Sequence, residues 1–319
     1  MSPSPDINTR FTLNNGTTIP ALGLGTWQSS PGEVKQAVEH ALKSGYRHID
    51  AAYCYQNENE VGEGIKAAIA SGAVKREDIF VTTKLWCTFH TRVEEGLDES
   101  LKNLGLDYVD LFLMHWPCPM NPKGNHPLFP KLEDGSRDLD VSTSHIETWK
   151  RMEKIPKEKT RAIGVSNYSK KYLEILLKHA TTVPAVNQIE NHPYLPQQEV
   201  VDTCRQNNIL VTAYSPFGST GSPLFNEVAV KSVADEHKVS PGTVLLSYAI
   251  ARGIVVIPKS VTPSRIEENT KLIVLSGEEL ESLEKIHKEK GITRYVYPAF
   301  GVNFGFPDKA EGRILPGGE

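Results

Sequence analysis

The chain has 319 residues, of which 39% are hydrophobic and 23% charged, with a formal net charge of −4. That composition describes a globular protein with ample core, and its interspersed charges leave no basic face for nucleic acid. No apolar run approaches the ~20 residues of a membrane span, Met1-Ser2-Pro3-Ser4-Pro5-Asp6 has no apolar signal core, and Leu315-Pro316-Gly317-Gly318-Glu319 matches no retrieval or lipidation signal, so a cytoplasmic location is expected.

Along the chain, Asn14-Asn15-Gly16 between short strand-like pieces predicts a β-hairpin over 11–20. After Gly23-Leu24-Gly25-Thr26, a helix is predicted over about 32–44, with Val34, Ala37, Val38, Ala41 and Leu42 on one stripe and Gly45 as its stop. Tyr46-Arg47-His48-Ile49 then forms a short buried strand that ends at Asp50, and a second helix follows over about 57–71. Ile79-Phe80-Val81-Thr82-Thr83 ends at Lys84, and a third helix covers 91–104, closed by Gly105. Val109-Asp110-Leu111-Phe112-Leu113-Met114 ends at His115.

Further strands are expected over 161–165, 183–189, 209–214 and 254–257, separated by helical stretches with readable caps. Ser240-Pro241 and Thr262-Pro263 place a hydroxyl at N-cap and proline at N1, and Ser276 with Glu279 forms a capping box. Eight strand candidates in β-α alternation predict an α/β fold, a (β/α)8 TIM barrel behind an N-terminal β-hairpin. Long loops are expected at its C-terminal face, over 118–140, over 217–224 and in the tail after Tyr295. The reading is one domain over 1–319, with the barrel core at about 22–290 and a substrate-loop tail at about 291–319.

Three of those strands stop on an ionisable residue. A charge inside a buried strand is expensive, but at its carboxyl end it can face a shared cleft, which is where a parallel barrel builds a catalytic site. Asp50, Lys84 and His115 are therefore candidate catalytic residues, with Tyr55 in the loop just past Asp50. A phenol with pKa near ~10 is a poor acid at neutral pH. A neighbouring Lys84 held by Asp50 is expected to lower that pKa, making Tyr55 a proton donor while His115 orients a carbonyl.

A second constellation is Ile257-Pro258-Lys259-Ser260-Val261-Thr262-Pro263-Ser264-Arg265. A strand delivers Lys259 and Ser260, a helix capped by Thr262 begins at once, and Arg265 adds a second cation, which together read as a phosphate-binding site. Gly23-Leu24-Gly25 is only GxG, with Gln28 where the third glycine of a dinucleotide fingerprint belongs, so a tight backbone turn near the cleft is the reading. Cys54, Cys87, Cys118 and Cys204 lack metal-ligand or disulfide spacing, so no metal is expected and free thiols are, with Cys54 the one beside the candidate site.

These residues resemble the aldo-keto reductases. Leu22-Gly23-Leu24-Gly25-Thr26-Trp27, Gly45-Tyr46-Arg47-His48-Ile49-Asp50-Ala51-Ala52, Thr83-Lys84-Leu85-Trp86, Leu113-Met114-His115-Trp116-Pro117, Ala162-Ile163-Gly164-Val165-Ser166-Asn167 and Ile257-Pro258-Lys259-Ser260-Val261-Thr262 match that family's signatures in order across nearly the whole chain. Tyr53-Cys54-Tyr55-Gln56-Asn57-Glu58 and Arg294-Tyr295-Val296-Tyr297-Pro298-Ala299-Phe300-Gly301 look most like the fungal glycerol dehydrogenases and glyceraldehyde reductases within it.

The resemblance implies NADPH/NADP+ bound across the barrel mouth, with Tyr55 as proton donor and Asp50, Lys84 and His115 in support. It implies that Ser166, Asn167 and Gln188 hold the nicotinamide carboxamide, Tyr214 stacks on the ring, and Thr26 and Trp27 lie nearby. Ser215, Phe217 and Ser219 are expected on the pyrophosphate side. Lys259, Ser260, Val261, Thr262 and Arg265 are expected around the adenosine 2′-phosphate, with Glu268 and Asn269 at the adenine. Trp27, Trp86 and Trp116 would line the substrate pocket with His115.

Implied partners are small aldehydes, sugars or polyols, without nucleic acid or membrane, on a monomer with a dimer left open. The loop over 218–224 is short beside members that fold a long belt over the cofactor, which implies faster NADP+ release. Phe217 also stands where a smaller aliphatic residue is frequent. Two other readings remain: a Schiff-base lyase or aldolase using Lys84, and a non-catalytic NADPH-binding member of the fold.

Overall fold

The computed structural model describes residues 5–319. Strands β1 (Arg10–Thr12) and β2 (Thr18–Pro20) form the expected antiparallel hairpin, with Gly16 at φ +84° in its turn. Leu13 and Ile19 of the hairpin pack against Phe80, Leu111, Val186 and Val255, at or near the first residues of four later strands. The hairpin thereby plugs the end of the sheet opposite the charged strand termini.

Eight parallel strands follow in chain order: β3 (Leu24–Gly25), β4 (His48–Asp50), β5 (Phe80–Leu85), β6 (Leu111–Met114), β7 (Ile163–Ser166), β8 (Val186–Glu190), β9 (Leu210–Tyr214) and β10 (Val255–Val256). Each pairs with its chain neighbour, and parallel bridges Leu22–Val256 and Gly25–Lys259 join the last strand to the first. Gly23 N–H donates to Val256 O at 2.9 Å and Gly25 N–H to Pro258 O at 2.9 Å, closing the barrel. The glycines therefore serve this seam and not the tight turn expected. A Cβ on Gly23 would lie 2.6 Å from His48 Nδ1, and one on Gly25 would lie 2.9 Å from Ile257 O.

Helices α1 (Val34–Lys43), α2 (Glu58–Ala70), α3 (Val93–Leu104), α4 (His145–Met152), α5 (Lys170–Leu177) and α6 (Gln198–Gln206) each follow one strand. Beyond β9 come α7 (Val228–His237) and α8 (Pro241–Ala251), and beyond β10 come α9 (Pro263–Glu268) and α10 (Gly277–Lys290). Alternation alone did not mark α7 and α10 as additions to the barrel. They share a separate apolar cluster in which Val230 and Val233 meet Leu283 and Ile286.

Ser240 Oγ accepts from Thr243 N–H at 3.1 Å, and Ser276 and Glu279 exchange both bonds of their box. Thr262 departs from expectation: its side chain caps nothing, and its own N–H donates to Ser260 Oγ at 3.1 Å. Strands β5, β6 and β8 are buried along their whole length, as a parallel sheet covered on both faces requires.

Candidate active site

The barrel places Asp50, Lys84 and His115 at the carboxyl ends of β4, β5 and β6, around a cavity of about 670 Å³. Lys84 is fully buried beneath the floor, and its ammonium is shared among three acceptors. Nζ donates to Asp50 Oδ1 at 2.5 Å, to Ala51 O at 3.0 Å and to the Tyr55 hydroxyl at 3.3 Å. Asp50 Oδ2 in turn accepts from Gln188 Nε2 at 2.6 Å, so β4, β5 and β8 are cross-linked under the cavity.

Tyr55 comes from a single 3-10 turn over Tyr53–Tyr55 and lines the cavity. Its acidity differs from expectation. Loss of water around the phenol, and then the Asp50 carboxylate, push its pKa well above 10, so the nearby ammonium does not acidify the resting group. Lys84 is already neutralised by Asp50, which leaves Tyr55 a fully protonated phenol.

His115 is held low by burial and by the Lys84 charge, so its imidazole is neutral. Nδ1 lies 3.5 Å from Cys54 Sγ, and burial keeps that thiol protonated. An S–H donated to Nδ1 would leave the ring proton on Nε2, the tautomer in which the imidazole offers a donor from that nitrogen. The Tyr55 and His115 rings meet edge to face at 5.7 Å, and Trp86 crosses His115 at 5.3 Å.

Thr26, Trp27, Trp86, Trp116, Asn167, Gln188, Tyr214, Ser215, Phe217, Ser219 and Lys259 also line the cavity. Asn167 is fixed on both sides: Nδ2 donates to His115 O at 2.9 Å and Oδ1 accepts from the Tyr214 hydroxyl at 2.7 Å. Trp86 Nε1 is anchored on Leu128 O at 2.6 Å. Three of the four tryptophans therefore face the cavity, while Trp149 is core.

Ser166 does not reach the cavity. It is buried, and its Oγ donates to the Gln188 backbone O at 2.8 Å and accepts from Asn167 Nδ2 at 3.1 Å, so it ties the β8 backbone to the Asn167 amide. Ser260, Val261, Thr262, Arg265, Glu268 and Asn269 also lie outside the main cavity, on the segment running from Lys259 through α9. Thr262 and Arg265 are exposed, and Asn269 is buried.

Phe129, missed in the sequence, and the tail expected as a substrate loop form further walls. Phe129 comes from the loop after β6 and crosses Trp86 at 5.2 Å. Tyr295, Val296, Tyr297, Pro298 and Phe300 of the tail supply another wall. Gln28, Asn167, Ser215, Ser219 and Ser222, all lining residues, have φ between +48° and +67° although none is glycine. Strain concentrated around one cleft is characteristic of a functional site.

A barrel whose strand ends converge an ammonium–carboxylate pair, a phenol and a neutral imidazole on one cavity defines an acid–base enzyme for carbonyl chemistry. The sequence profile of the Aldo/keto reductase family matches residues 21–288, and the chain belongs to that family. It is 58% identical over 309 residues to the D-galacturonate reductase of Hypocrea jecorina, covering 95% of this chain and 100% of that one. It is 49% identical over 296 residues to the glycerol 2-dehydrogenase (NADP(+)) of Saccharomyces cerevisiae, covering 90% and 94%. Among solved structures, the aldose reductase from Schistosoma japonicum superposes with a TM-score of 0.84 at 43% identity, over 90% of this chain and 94% of that one.

Proposed function

We propose that the protein is an NADP-dependent oxidoreductase that reduces aldehydes and small sugars to alcohols. Glyceraldehyde, aldoses and D-galacturonate are in its range, and it oxidises polyols such as glycerol in reverse. The relatives named for D-galacturonate and glycerol bracket that range. The observation that carries the reading is the Tyr55 hydroxyl, 3.3 Å from an ammonium that Asp50 holds in place, beside a neutral imidazole.

NADPH, when bound, supplies the hydride. The cavity fits such a guest: Asn167, Gln188 and Tyr214 line it together, and Lys259 and Arg265 have no carboxylate partner among the described residues. Those two cations, with Ser260, Val261 and Thr262, would hold a 2′-phosphate, while Glu268 and Asn269 would reach the adenine. The substrate carbonyl oxygen would accept from His115 Nε2–H and from the Tyr55 hydroxyl. Tyr55 gives up its proton to that oxygen, and the phenolate it leaves is stabilised by Lys84. The aromatic walls exclude water and grip apolar surface, which favours broad specificity.

An imine route through Lys84 is opposed by its geometry, since all three of its N–H bonds are engaged and the residue is buried. No helix among the described residues is long and apolar enough to cross a membrane, and we keep the cytoplasm as the proposed location. The test is NADPH absorbance with D,L-glyceraldehyde and D-galacturonate, repeated with NADH, and then glycerol with NADP+. Brisk NADPH oxidation with NADH poor is expected. Tight NADPH binding without turnover of any aldehyde would favour the non-catalytic reading instead.

A further inference from the structure

The tail wall of the cavity is tied to the barrel by one buried carboxylate. Glu190 is the last residue of β8, two positions beyond Gln188, so the two side chains share a face of the strand. Gln188 holds Asp50, whereas Glu190 reaches up to the tail. Its Oε1 accepts from Tyr295 N–H at 2.8 Å and from His192 Nε2 at 2.9 Å. Its Oε2 accepts from Val296 N–H at 2.8 Å. Glu190 is wholly buried and His192 nearly so.

A second anchor flanks the first. Gln197 Nε2 donates to Glu190 O at 2.5 Å, and Gln197 Oε1 accepts from Arg294 Nη2 at 3.1 Å. Arg294 also grips Asp308 with two bonds of 2.7 and 2.9 Å. The two N–H groups taken by Glu190 belong to two residues of the cavity lining, and Tyr297, Pro298 and Phe300 of that lining lie within the next four positions.

We propose that Glu190 is a positioning residue that sets the substrate wall by holding the backbone of Tyr295 and Val296, an inference resting on the reductase reading above. Only a carboxylate can accept from two consecutive N–H groups and an imidazole together. An amide would accept one N–H and turn its own donors toward the other. The wall then shifts while the Asp50, Tyr55, Lys84 and His115 arrangement stays in place. Long substrates, which reach the tail, feel the change; glyceraldehyde, which fits near His115, does not.

Glu190→Gln tests this. One backbone donor left without its acceptor should raise KM for D-galacturonate about tenfold, with KM for glyceraldehyde, kcat and the Kd of NADPH each changed less than about threefold. Hydrogen exchange in peptides covering 291–300 should quicken about tenfold or more, while peptides of β4–β6 keep wild-type rates. Equal losses for both substrates, or unchanged exchange in the tail, would overturn the proposal. Should the variant not fold, wild-type exchange decides. Amides at 295 and 296 as protected as β8 support the anchor, and amides as labile as the exposed 309–313 stretch overturn it. Wild-type protein inactive on every aldehyde would remove the reductase reading, with the exchange arm still judging the anchor.

Discussion

Replacing Lys84 by methionine keeps an unbranched stem and deletes the ammonium with its bonds to Asp50 Oδ1, Ala51 O and the Tyr55 hydroxyl. Asp50 would retain the Gln188 amide on Oδ2 but lose its ion-pair partner, at a site where its side chain is only 3% exposed. Breaking a buried pair from one side costs about 3–5 kcal/mol, because the remaining charge is stranded. An unfolding entropy of about 2.1 cal/mol/K per residue gives roughly 0.7 kcal/mol/K for a chain of this length, so Tm should fall by about 4–7 °C. Adding Asp50→Asn removes the stranded charge, and the double variant should recover more than half of that loss. Activity should not recover, since the group that stabilises the developing phenolate is gone; both variants should lose at least about 100-fold in kcat. Calorimetry with NADPH-oxidation rates on the same preparations reads both effects. Lys84→Met melting within 1 °C of wild type, or a double variant less stable than the single one, would refute the electrostatic argument.

Tyr55→Phe removes the proton donor and should lower kcat by about 10²–10⁴-fold, with NADPH binding, read by fluorescence quenching, nearly unchanged. Lys259→Ala with Arg265→Ala removes two cations expected at the 2′-phosphate; NADPH should weaken at least about 100-fold and NADH by less than about threefold, and equal losses would place phosphate recognition elsewhere. Burial pushes His48 and His145 down to about 4 and His90 to about 3. Between pH 6.5 and 4 the unfolded chain thus holds more protons than the folded one. Stability rises with pH across that window, by about 4 kcal/mol per unit near pH 5 from these three groups together. Melting temperature should fall steeply on acidification from pH 6.5 to 4.5, and a flat profile would contradict the neutral histidines. The short 218–224 loop should release NADP+ quickly, and stopped-flow fluorescence showing slow, isomerisation-limited release would oppose this.

The strand-end charges were legible because burying a charge inside a parallel strand is prohibitive, which leaves only its mouth for Asp50, Lys84 and His115. The hairpin and two of three helix caps were legible because turn and cap chemistry is local. Thr262 misled because the Arg265 N–H that its hydroxyl would have capped donates to the Thr262 backbone carbonyl at 3.1 Å instead. The bracing of Asn167 and of the Gln188 backbone by Ser166 was not legible, because a residue's position at a strand end does not reveal its hydrogen-bond partners. Phe129 and the tail aromatics belong to irregular chain, where no period ties a residue to a face, and only their contacts with Trp86 and Trp116 place them.

The direction of the Tyr55 shift bears on how such a site works. A phenol acidified at rest to below the working pH would be largely ionised and unable to donate. Here Asp50 neutralises Lys84 and raises the cost of ionising Tyr55, so the proton stays until a carbonyl oxygen gains charge. Once that oxygen takes the proton, the phenolate faces an ammonium already 3.3 Å away and needing no reorientation. The stabilisation from Lys84 is therefore small while the phenol is intact and large as it ionises, and only such a difference between ground state and transition state accelerates the reaction. Asp50 serves this by fixing the ammonium, and the neutral His115 serves it by donating a hydrogen bond without adding a second positive charge that would ionise Tyr55 too early.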